Sequence, residues 1–108
     1  MKVNILGTEY EIKKIKDDKK MKLLNANGYC EQYSKKIVVD DFDPDEESFE
    51  NIDLYKNRIL RHEIIHAYFF ESGLAGNSDF AENEELVDWL AIQIPKIVKT
   101  FKELNIIE

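Results

Sequence analysis

The apolar residues change period once along this chain, and that change limits the fold more than any other feature. Through the first forty residues they alternate: Tyr10 and Ile12 fall between Glu9, Glu11 and Lys13, the two-residue period of a strand with one buried face. Residues 3–6 and 9–15 read as two strands around a tight turn at Gly7-Thr8. Residues 17–24 read as a turn or short helix, and Asn25-Ala26-Asn27-Gly28 as a loop. Residues 29–34 and 36–39 read as a second strand pair, with Ile37-Val38-Val39 the strongest β-branched run. From 52 to 72 the spacing turns helical, through Leu54, Ile59, Leu60, Ile64, Ile65, Tyr68 and Phe69, and Gly73 is a natural stop. A second helix is predicted over 79–103, bent or split near Ile94 by Pro95. Trp89, Leu90, Ile92 and Ile97 would form its core face. Strands followed by helices predict an α+β fold: a small, mainly antiparallel sheet followed by two packed helices.

With 108 residues the chain has the length of one domain, 1–108. Its 44% hydrophobic content is too apolar for a disordered chain. The formal net charge of −7 makes the chain a poor candidate for nucleic acid or an anionic membrane, which require clustered cations. Cys30 is the sole cysteine, so no internal disulfide can form, and it reads as a small buried hydrophobe. The first residues lack the long apolar region of a signal peptide, and no apolar run approaches the roughly 20 residues needed to cross a bilayer. The expectation is a cytoplasmic protein without membrane or nucleic-acid partners.

Asp41, Asp43 and Asp45 alternate as a calcium loop begins, but its sixth and twelfth positions would hold Glu46 and Ile52 in place of Gly and Glu. A solvated acidic turn is expected instead, with Asp45 or Ser48 capping a helix.

Residues 62–66 read His62-Glu63-Ile64-Ile65-His66, or H-E-x-x-H, and these are the only two histidines of the chain. Residues four apart on a helix share a face, so both imidazoles can reach one Zn²⁺ at about 2.0–2.1 Å. Glu63 would then face water held by the metal and serve as general base. A catalytic zinc takes three protein ligands and keeps one position open. The second predicted helix offers Glu84, Glu85 and Asp88. Glu85 points about 100° away from Glu84, so only one of the pair should face the metal.

His62-Glu63-Ile64-Ile65-His66 followed by Asn83-Glu84-Glu85-Leu86-Val87-Asp88 resembles the H-E-x-x-H … N-E-x-x-x-D pattern of gluzincin metallopeptidases. The resemblance implies Glu84 as third ligand, with Asp88 taking the N–H of a ligating histidine, His62. Glu85 ranks next as ligand and Asp88 last. The chain is also similar to the small ImmA/IrrE-type peptidases of bacteria and their mobile elements, across about residues 28–97. Glu84, Val87, Asp88, Leu90, Ala91 and Pro95 stand in comparable places. That likeness implies a minimal zincin-like metallopeptidase domain, phage- or prophage-encoded, which hydrolyses a peptide bond in a protein or peptide substrate such as a regulator.

The larger gluzincins steady the oxyanion with a distal His or Tyr, and here no third histidine exists. Tyr29, Tyr33, Tyr68, Arg58 and Arg61 are the available donors. An edge strand, with 37–39 a plausible source, would pair with an extended substrate. Two other readings remain open at the level of sequence. One is a non-catalytic interaction module that keeps the fold with a structural or vestigial metal. The other has the two histidines merely packing. Fe(II) or Mn(II) would also accept two histidines and a carboxylate.

Overall fold

The computed structural model describes residues 1–43 and 51–108. Strands β1 (Lys2–Ile5) and β2 (Thr8–Ile15) form a hairpin. Helix α1 (Lys19–Leu24) leads to β3 (Gly28–Glu31) and β4 (Lys36–Asp40). Helix α2 (Ile52–Glu71), a 3₁₀ turn (Asp79–Glu82) and helix α3 (Glu84–Glu103) complete the chain. The expected α+β architecture is what forms.

Local chemistry sets these elements. Ile5 pairs with Thr8, so the β1–β2 loop is Leu6-Gly7. Both residues have positive φ, 50° and 91°, the backbone of a turn whose twist matches its strands. Asp18 caps α1 by accepting from the Met21 N–H at 3.0 Å. Asn51 caps α2 in the same way, accepting from the Leu54 N–H at 3.3 Å. The capping expected of Asp45 or Ser48 falls on positions outside the described residues. Gly73, at φ 83°, ends the turn after α2, as its position predicts.

The sheet is mixed, in the order β1-β2-β4-β3. Two antiparallel ladders flank a parallel one between β2 and β4. A parallel pair needs a long crossover, and here residues 16–35 supply it, carrying α1 and β3. This order corrects the expectation for 37–39. Strand β4 has its backbone paired on both sides, so it lies inside the sheet, whose edge strands are β1 and β3. Burial agrees, because Ile37, Val38 and Val39 are all buried, as an interior strand covered on both faces requires.

Helix α2 packs on β3 and β4. Ile5, Tyr10, Ile12, Ile37 and Val39 from the sheet meet Ile59 and Ala67 of α2 in the core. The far end of α2 is tied down by Glu71. Its carboxylate accepts from Tyr10 Oη at 2.7 Å, Lys35 Nζ at 2.6 Å and Thr8 Oγ1 at 3.3 Å. These contacts lie at the one end of the sheet where the parallel strands β2 and β4 both begin, and they fix how α2 lies across it.

The second predicted helix starts later than expected. Asn83 is extended (φ −75°, ψ 115°) and separates the 3₁₀ turn from α3. Pro95 lies inside α3 without splitting it. A proline has no N–H for the carbonyl four residues earlier, which here is Ala91. Arg61 Nε from α2 donates to that carbonyl at 2.7 Å and replaces the missing bond. The core face also differs. Val87 and Ala91 are buried, whereas Trp89 is 53% exposed, because residue 89 points about 160° away from the face shared with α2. Among the described residues no helix is long and apolar enough to cross a membrane.

Candidate metal centre

The H-E-x-x-H residues lie in the second half of α2, where Ile59, Glu63 and Ala67 face inward and His62 and His66 flank that line. Glu84 is the first residue of α3, held there by Asn83, whose side chain accepts from the Leu86 N–H at 2.8 Å. The helix start thus delivers a carboxylate to the histidines. His62 Nε2 lies 2.9 Å from Glu84 Oε2, and His66 Nε2 lies 2.9 Å from Glu84 Oε1. The two Nε2 atoms are 3.1 Å apart. On its other side, His62 Nδ1 meets Asp88 Oδ1 at 2.8 Å. Glu85 is exposed and does not line the cleft around these residues.

With both rings neutral, this cluster has room for a cation. Asp88 accepts, so His62 Nδ1 carries the hydrogen and a neutral His62 presents a bare lone pair at Nε2. That lone pair faces a Glu84 oxygen and a second imidazole nitrogen. With both rings neutral, His66 Nε2 can bring at most one proton to this meeting point of four acceptor atoms. Ligands of a tetrahedral ion bound at 2.0–2.1 Å sit about 3.3 Å from one another. The observed 2.9–3.1 Å spacings are close to that edge length. His62, Glu63 and His66 form a group that could hold a metal ion, with their ligand atoms within 4.8 Å of one another. Glu84 adds a carboxylate at closer range than that limit.

Burial distinguishes Glu63 from the largely exposed Glu84. Glu63 is 7% exposed. Burial pushes its carboxyl up to about 7, the charges of Glu84 and Asp88 push the same way, and His62 opposes them. A bound divalent ion would draw that value down again. Burial lowers His66, with Glu84 opposing, so the ring is held towards the neutral form a metal requires. Burial also pushes the Cys30 thiol up to about 12, helped by the charges of Glu63 and Glu71. It therefore stays a protonated, half-buried side chain packed against the core.

The cluster opens into a cleft of about 540 Å³, walled by β3 on one side and α2 on the other. Gly28 explains how closely these walls approach. A Cβ there would lie 3.1 Å from Ile59 Cγ2, 3.1 Å from the Val38 carbonyl oxygen and 3.3 Å from Glu63 Cγ. The sequence marks Asn27-Gly28 only as a loop, whereas Gly28 begins β3 and walls the cleft.

The five oxyanion donors named from sequence separate in space. Tyr29 and Arg58 line the cleft. Tyr33 packs edge-on against Phe70, with ring centroids 5.5 Å apart. Tyr68 lies in an apolar groove between α2 and α3, and Arg61 is committed to the Ala91 carbonyl. Compared with protein-family models, curated proteins and solved structures, the chain matches none.

Proposed function

We propose that this chain is a zinc-dependent, gluzincin-like metallopeptidase, similar to the small ImmA/IrrE-type enzymes and acting on a protein or peptide. One observation carries the reading: two imidazole nitrogens and a carboxylate converge within 2.9–3.1 Å beside a buried glutamate. His62, His66 and Glu84 would hold the ion. When bound, such an ion polarises the substrate carbonyl and brings the pKa of water down to about 7. Two histidines and a carboxylate on an H-E-x-x-H helix favour Zn²⁺ among the divalent ions.

The chain's own residues do the rest. Asp88 holds His62 in the tautomer that leaves Nε2 free and raises its basicity. Glu63 accepts the proton of the attacking water and returns it to the leaving amine nitrogen. Its burial beside the histidines places the carboxylate on the dry side of the cleft. The outer edge of β3, unpaired among the described residues, offers backbone groups to an extended peptide. We place the activity in the cytoplasm, where a lone unpaired thiol is ordinary.

Metal content by mass spectrometry tests the site. About one zinc per chain is expected in wild type, with occupancy sharply reduced in His66→Ala and Glu84→Gln. Glu63→Gln should keep the zinc and lose about 10²–10⁴-fold in peptide hydrolysis. A wild type that takes up no zinc after reconstitution would sink the reading. A zinc-replete wild type with no hydrolytic activity would leave a structural metal in an interaction module.

A further inference from the structure

Arg58 lies on the histidine face of α2, one turn before His62, and its half-buried side chain lines the cleft. Among the described residues no carboxylate or carbonyl pairs with its guanidinium. A fixed cation taken partly out of water is costly unless a partner compensates it. In a chain of net charge −7 carboxylates are plentiful, yet among the described residues none fills this role.

The strand direction shows what could. Asn27 Nδ2 donates to Tyr55 Oη at 2.8 Å, Gly28 abuts Ile59 and Glu63, and Tyr33 packs on Phe70. Strand β3 therefore runs in the same direction as α2. Among the described residues nothing pairs with its outer edge, and antiparallel pairing is the more stable way to fill an edge. A peptide paired so would run against α2, entering near Phe70 and leaving towards Tyr55. Its reacting carbonyl would lie at the histidines, and the segment after that carbonyl would pass Arg58. Four helical residues separate Arg58 from His62, about 6 Å of axis, or roughly two residues of extended chain.

We propose that Arg58 is the specificity residue of the cleft and selects a carboxylate on the substrate within about three residues after the scissile bond. The inference rests on the peptidase reading above. The guanidinium matches a carboxylate in two parallel, charge-assisted hydrogen bonds. An Asp or Glu side chain and a free C-terminus both present that group.

The test digests a mixed peptide library with zinc-loaded wild type, Arg58→Gln, Arg58→Lys and Arg58→Glu, and reads cleavage sites by mass spectrometry. In wild type Asp and Glu should be enriched on the order of 10-fold in the first three positions after the cut, or cuts should cluster at free C-termini. Paired peptides ending in free acid or amide distinguish the two sources. Arg58→Gln should lose the preference, Arg58→Lys should keep part of it, and Arg58→Glu should turn it towards Lys and Arg. Zinc content and melting temperature of each variant verify that the fold is kept. An identical cleavage pattern in all four proteins, or a uniform slowing at every site, would overturn the proposal and leave hydrolysis standing. If wild type cuts nothing, hydrolysis fails and binding decides. Fluorescence anisotropy should then show Glu peptides binding several-fold tighter than their Gln analogues, in wild type but not in Arg58→Gln. Equal binding overturns the proposal.

Discussion

Asp88 touches no position where a substrate would react, yet it determines which nitrogen of His62 is available. Its carboxylate at 2.8 Å fixes the hydrogen on Nδ1 and turns Nε2 towards Glu84 and His66. Asp88→Asn removes the charge and lets the amide present either a donor or an acceptor to the ring. Zinc affinity should fall about 10–100-fold, as measured by competition with a chelator of known affinity. An unchanged affinity would mean that His62 is oriented by packing alone. The same reasoning separates Glu84 from Glu85. They are adjacent and chemically alike, but one turn step of about 100° gives the first a place beside the imidazoles and leaves the second in solvent.

At the scale of elements, α2 and α3 are joined by a repair as well as by a site. Pro95 orphans the Ala91 carbonyl, and Arg61 supplies the missing donor. Residue 91 is fully buried, so water cannot easily replace that donor. Arg61→Leu should cost about 1–3 kcal/mol in chemical denaturation. In a Pro95→Ala background, which restores a backbone N–H to Ala91, the same substitution should cost less. A cycle in which the two changes simply add would show that Arg61 acts elsewhere. The pairing also accounts for a proline tolerated in mid-helix, which the sequence led us to expect as a bend or a split.

Across the whole molecule, the proposed centre spans two helices and would therefore couple metal binding to folding. His62 and His66 come from α2 and Glu84 from α3, separated by a turn and a 3₁₀ segment. A ligand that binds only the folded chain stabilises it by about 2.7 kcal/mol at 100 times its Kd. Stripping zinc should therefore lower the melting temperature by on the order of 10 °C in wild type, and leave His66→Ala unmoved. A second tie, Glu71, holds α2 to the sheet. Hydrogen bonds from Lys35 and Tyr10 lower its carboxyl below the ordinary value of 4.5. The contribution of a group depressed in the folded state is complete above that ordinary value and disappears as pH falls through the lowered one. Glu71→Gln should thus melt a few °C below wild type at pH 7, with the gap closing as pH falls below about 4.5. A gap independent of pH would assign the effect to packing.

The period of the apolar residues was enough to place four strands and two long helices, because burying one face of a strand or helix leaves a local signature that needs no knowledge of the partner. The H-E-x-x-H spacing was likewise enough to put two imidazoles on one face. Position in the sheet was not local. The run 37–39 reads as a strand wherever it lies, and only its pairing with both β2 and β3 shows that it is interior and that the edges fall to β1 and β3. Nor did any local pattern expose Trp89 and bury Val87 and Ala91, since a 3.6-residue period gives the angle between positions but not the direction of the neighbouring helix. Glu84 was singled out in the sequence by resemblance, and its closeness to the histidines is a matter of tertiary packing. The arrangement around Arg58 belongs wholly to the tertiary structure. In a chain with 22 acidic residues, a cation without a partner among the described residues is invisible until the fold shows which carboxylates are out of reach.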